Sequence, residues 1–168
     1  AIVASETVYN VAGQAIAAID PLGNETAYDS GNRWVRKVLD SNGDGTTDGS
    51  TIFVYDGNQI ALQLDKTGTG DIADTDVSHR YLFGTAVDQI LADEQLHYDS
   101  GQSSFITDEV LFPLTDHLGT VRDVLDTSST VRIHRAYDAF GNVTSAQLRN
   151  ASNQIVTPGQ RGALLELL

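Results

Sequence analysis

The residues best spaced for chemistry are Asp40, Asn42, Asp44 and Asp48, with Gly45 among them. Oxygen donors at alternate positions, with glycine at the sixth, form the first half of a calcium loop of EF-hand type. Thr46 would add its backbone carbonyl. Thr51 stands at the twelfth position, so the closing bidentate acid is missing, and no helical pattern flanks the loop. The competing account is a solvated Asx/Gly turn. A second copy of the pattern runs through Asp65, Thr67, Thr69 and Asp71. It has lost side-chain donors, although Asp76 holds its twelfth position. The expected cofactor is calcium, held by Asp40, Asn42, Asp44, Thr46 and Asp48.

Other chemistry is thinly represented. His117 beside Asp116 has the types of a base and its orienting acid. Neighbours on a strand face opposite ways, however, and Leu118-Gly119 marks a turn there. His79, His97 and His134 are scattered without ligand spacing. No G-x-S-x-G elbow occurs, and no pair of acids is singled out as a glycosidase dyad. Arg122, Arg132 and Arg135 with Asp123, Asp126 and Asp138 read as cross-strand ion pairs. The expectation is a non-enzyme.

The chain has 168 residues, 23 acids against 10 Lys and Arg, and a net charge of −13. That balance disfavours nucleic acid and anionic membrane as partners. There is no cysteine, hence no disulfide or thiol chemistry, and no apolar run long enough to span a bilayer. Methionine is also absent and the chain starts at Ala1, which reads as a chain that is processed, excised from something longer, or read without its start.

The elements that must position these residues are punctuated by tyrosine. All six tyrosines precede a glycine by two to four residues: Tyr9 and Gly13, Tyr28 and Gly31, Tyr55 and Gly57, Tyr81 and Gly84, Tyr98 and Gly101, Tyr137 and Gly141. An aromatic at a strand end followed by Asp or Asn and then Gly is hairpin chemistry, and its recurrence means one small unit reused. Strands are expected over 7–9, 15–19, 26–28, 33–39, 51–55, 59–64, 79–83, 89–92, 95–98, 109–114, 120–125, 131–137 and 143–148. The stretch 148–160 reads as a polar linker, and 163–168 as a short apolar tail and the one place with helical character.

The blocks Ile19–Asn24, Arg80–Gly84 with Val87–Ala92, and Leu114–Asp126 running into Tyr137–Val143 resemble the YD repeats of RHS and teneurin-type proteins. The resemblance covers roughly residues 5 to 147. It implies β-hairpins coiled into a hollow shell, which in bacterial members commonly encloses a toxin or effector. The region after 148 departs from that pattern. The Asp-Pro-x-x-Gly closure is not found there, and the only Asp-Pro-x-Gly is Asp20–Gly23, so self-cleavage and an attached toxin are not carried over.

The expected fold is therefore all-β: repeated antiparallel hairpins in a curled sheet or β-solenoid, with a YD-repeat domain over 1–147 and a linker and tail over 148–168. The expected role is structural, secreted or at the cell surface. The partner is another copy of the chain, met through exposed strand edges and extending into filaments. The alternative is a fragment of an RHS-type shell delivering a cargo. Any cargo or glycan ligand is unspecified by the residues.

Overall fold

The structure, a computed structural model, describes residues 4–85, 89–150 and 152–156. It contains β1 (Glu6–Tyr9), β2 (Ala15–Ile19), β3 (Glu25–Tyr28), β4 (Trp34–Leu39), β5 (Gly49–Asp56), β6 (Gln59–Thr67), β7 (Val77–Phe83), β8 (Ile90–Asp99), β9 (Ser104–Thr115), β10 (Val121–Asp126), β11 (Val131–Tyr137), β12 (Val143–Arg149) and β13 (Ile155–Val156), with one 3-10 turn at Asp74–Asp76. Each strand is hydrogen-bonded to the next along the chain, without crossovers. The chain is all-β and its hairpins are antiparallel.

Two expectations change. The strands expected over 89–92 and 95–98 are one strand, β8, running through Asp93 and Glu94. The sequence pattern breaks there, but ladder bonds belong to the backbone and tolerate a polar side chain that finds a partner; Asp93 is only 2% exposed. The expected linker from 148 instead begins inside β12, makes one more turn and pairs as β13. The tail at 163–168 lies outside the described residues.

One turn recurs through the meander. It starts at Asn10, Asp20, Asp29, Asp116, Asp126, Asp138 and Asn150. In each, the Asx residue donates its amide to the carbonyl four residues on and receives the amide three residues on. Its side-chain Oδ1 also accepts the amides of the second and fourth residues after it. The residue three after the Asx has positive φ in every copy, as in Gly13, Asn32, Ser129 and Gly141. This is a three-residue hairpin loop ending in a bulge. The ladder slips by one residue beside it, as at Val8/Tyr9, Ala27/Tyr28 and Ala136/Tyr137.

Two compact units are distinguished: Ala1–Arg80 with Gln95–Ile106, and Tyr81–Glu94 with Thr107–Leu168. In the first, the buried residues are all polar: Asp40, Ser50 and His79. Its ladder sets Arg36 opposite Ile52, Ile52 opposite Leu64, Val54 opposite Leu62, and Leu62 opposite Arg80. These six share one face, aliphatic between two arginines. The opposite face carries Phe53 opposite Gln63 and a polar cluster in which Asp65 accepts from Thr51 Oγ1 (2.6 Å), Gln63 Nε2 (2.8 Å) and the Ser78 hydroxyl.

The second unit has the apolar core: Leu111, Val124 and Ile133, with Val121 against them. Val124 pairs with Pro113 on one side and Ile133 on the other. Between Val124↔Ile133 and Leu125↔Val131 the register slips, leaving Arg132 as the extra residue of a bulge. Arg132 is 5% exposed. Its guanidinium meets Glu109, lies 3.7 Å from Asp126, and donates from Nε to the Arg149 carbonyl at 2.9 Å.

Candidate functional site

The 40–48 loop joins β4 to β5. Asp40 is 5% exposed and turned into the loop. Its Oδ1 accepts the amides of Gly43 (2.7 Å) and Asp44 (3.2 Å), and its Oδ2 that of Gly45 (2.7 Å). Gly43 and Gly45 both have positive φ, which lets successive amides converge on one anion. Asn42 Oδ1 accepts from Asp44 N at 2.9 Å, and Asp44 Oδ1 from Thr46 N at 2.7 Å. The Asp44 carboxyl is held below the ordinary aspartate range, first by the Thr46 amide. Asp48 accepts from the amide and hydroxyl of Ser41. The five residues expected to surround calcium thus lie in one loop, where side-chain oxygens of Asp40, Asn42, Asp44 and Asp48 accept from the loop's own donors. Among the described residues no group of three or more His, Asp or Glu is gathered as a metal site would require.

The second pattern does not form a loop of this kind. Asp65 is engaged on the sheet face. Asp76, at the position of the closing acid, accepts from Ala73 N (2.8 Å) and from Lys66 Nζ (3.2 Å). The Ala73 amide is the main cause of its lowered pKa.

The tyrosine turns are not all of one kind. Tyr9, Tyr28 and Tyr137 precede the recurrent Asx turn. Gly13 and Gly141 take the positive-φ position, but after Tyr28 that position is Asn32, not Gly31. Gly31 leaves room for the Asp29 carboxylate: a Cβ there would stand 3.2 Å from Asp29 Oδ1. Gly101 has the same relation to Asp99, at 3.1 Å. Tyr55 precedes a two-residue turn with Gly57 at φ 60° and Asp56 paired with Gln59. Tyr81 leads to Gly84, whose amide donates to the Gln89 carbonyl at 2.8 Å.

Two of the tyrosines build the same clamp. The Arg33 guanidinium lies 4.3 Å over the Tyr55 ring, is anchored by Asp29, and donates to the Gly57 carbonyl. The Tyr55 hydroxyl donates to the Trp34 carbonyl at 2.9 Å. Burial pushes the Tyr55 phenol above its ordinary range, against the pull of Arg33. In the second unit Arg122 lies 5.0 Å from the Tyr137 ring centre and bonds Asp116 through Nε at 2.9 Å, while the Tyr137 hydroxyl donates to the Val121 carbonyl at 3.0 Å. Each clamp joins one turn to a later one across two strands.

Of the expected ion pairs, Arg132 with Asp126 joins two of the named partners. Asp123 meets His134 Nδ1 at 2.7 Å, and Arg122 meets Asp116. Sequence reasoning missed Glu109 as the partner of Arg132, because the bulge that turns Arg132 inward has no local signature. His117 lies in the Asp116 turn, whose carboxylate is taken by Leu118 N, Thr120 N and Arg122.

No protein-family profile matches the chain. No curated protein matches it either. Among solved structures, the crystal structure of TcdB2-TccC3-TEV contains a chain that is similar at 13% identity with a TM-score of 0.42. The match covers 90% of this chain and 8% of that one, so this chain spans a small part of that chain's length.

Proposed function

We propose that this chain is a structural YD-repeat module without catalytic activity, acting outside the cell or at its surface and associating with further copies through strand edges. One observation carries the reading: a single hydrogen-bonded turn is used at Asn10, Asp20, Asp29, Asp116, Asp126, Asp138 and Asn150. Its carboxylates and amides are spent on the turn itself, and a repeated turn on a meander builds wall rather than site. Strands whose outer hydrogen-bonding groups lack a neighbour recruit another strand.

A second reading, a wall segment of an RHS-type shell around a cargo, is favoured by the strand order, since successive hairpins without crossovers extend such a wall on either side. Sedimentation velocity and negative-stain electron microscopy of the purified chain over a concentration series separate the two. Growth into filaments supports self-assembly. Discrete particles of one copy at every concentration remove it and leave the shell segment.

Repeating the series with calcium and then with chelator tests the 40–48 loop. Asp40 accepts the amides of Gly43, Asp44 and Gly45, so calcium loading is expected to change amide exchange at those three residues.

A further inference from the structure

In the recurrent turn the second residue after the Asx is used through its amide, and its side chain has no bond to make. Ala12, Ser128 and Ser152 fill that position in three copies. At Asp116 and Asp138 it is filled by Leu118, 77% exposed, and Phe140, 91% exposed. These two turns join β9 to β10 and β11 to β12, so they lie at the same end of the second unit, about 10 Å apart at two strand spacings. The turns at the other end, at Asp126 and Asn150, carry serine instead. Geometry does not demand the large apolar side chains, and exposing them is unfavourable. Leu22, at the same position in the Asp20 turn, differs: it lies against the 40–48 loop near Gly43.

The first unit carries the complementary feature. Ile52, Val54, Leu62 and Leu64 form an aliphatic strip on β5 and β6, flanked by Arg36 and Arg80. Val54 is 42% exposed, and no apolar side chain of this unit is buried among the described residues. The charges also match. Asp138, beside Phe140, accepts from Asn142 Nδ2 and from backbone amides, and no cation pairs with it among the described residues. The Asn142 side chain, first among these donors, keeps that carboxyl ionised below the ordinary range. An anionic apolar tip and a cationic apolar strip are complementary in charge and in character.

We propose that Leu118 and Phe140 of one copy seat on the Ile52–Leu64 strip of a second copy, with the Asp138 turn against Arg36. The contact is heterologous, tip to face, so each copy keeps one surface of each kind free and the contact can propagate. This rests on the self-association proposed above and names surfaces for it other than strand edges.

The test uses two variants. Leu118→Ser/Phe140→Ser removes the tip; serine already occupies this position at Ser128, so the turn accepts it. Val54→Asp/Arg36→Glu spoils the strip, and circular dichroism confirms that each variant is folded. In sedimentation velocity, wild type is expected to assemble with concentration. Each variant alone is expected to need about tenfold more protein or greater to do so. A mixture of the two variants, having one intact tip and one intact strip between them, is expected to form a 1:1 complex and stop. Assembly of the tip variant at the wild-type concentration, or a mixture that stays monomeric, overturns the proposal while leaving edge pairing as the route. A wild type that never assembles removes the self-association reading and this inference together.

Discussion

At the scale of single residues, the aspartates of the turns decide behaviour. The carboxyls of Asp20, Asp29, Asp116 and Asp138 all titrate below the ordinary aspartate range. The main causes are the Asn24 side chain, the Arg33 amide, the Leu118 amide and the Asn142 side chain, respectively. A carboxyl whose folded pKa is depressed adds stability above its unfolded value and loses it as pH falls through the folded value. Urea unfolding is therefore expected to give a constant midpoint above about pH 5 and a falling one below about pH 4. An acid-insensitive midpoint would mean the turns do not depend on ionised Asp. Arg132 is the other decisive residue. Arg132→Ala leaves Glu109 and Asp126 without their cation in a largely buried setting and is expected to cost about 3 kcal/mol in the urea-derived stability. Arg122→Ala, at an exposed pair, is expected to cost about 1 kcal/mol or less.

At the scale of elements, the clamps and the 40–48 loop make separate predictions. Tyr55→Phe keeps the ring under Arg33 but removes the hydrogen bond to the Trp34 carbonyl, with an expected loss of about 1 kcal/mol. Tyr137→Phe should behave alike, because Val121 plays the part of Trp34. Amide exchange would show both losses as faster opening of the turns that the clamps join. For the loop, Asp40→Ala is expected to lower the melting temperature even in chelator, since the carboxylate gathers three amides without any metal. A melting temperature unchanged in chelator but lowered in calcium would instead make Asp40 a ligand first. The elements also show which local signals were readable. Asp-x-x-Gly-Asn and Asp-x-x-Gly-Thr marked the turns at Asp138 and Asp116. Asn150-Ala-Ser-Asn-Gln was passed over, because its positive-φ residue is Asn153 and no glycine marks it.

At the scale of the whole molecule, a meander with so few buried apolar side chains has aliphatic surface to cover. Removing an exposed Val54 or Phe140 from water is worth on the order of 2 kcal/mol each. The association with copies proposed above would cover that surface. Thermal unfolding is expected to move upward with protein concentration, since whatever binds only the folded state stabilises it by mass action. A melting temperature independent of concentration over two decades would exclude that coupling.

The sequence by itself determined the all-β class, nearly every strand, and the reuse of one turn. Those features rest on alternation and on Asx and Gly at short fixed offsets, and the backbone reads such information locally. It also placed the 40–48 oxygen donors in one loop between two strands. Only the tertiary structure showed that amides converge on Asp40, because this depends on the backbone path of Gly43 and Gly45 and not on the spacing of the side chains. The same holds for Arg132, turned inward by a one-residue slip in the ladder, and for the tyrosines. Their spacing to glycine was visible in the chain, but the hydroxyls and rings of Tyr55 and Tyr137 meet partners on or beside the neighbouring strand, at a distance fixed by strand register.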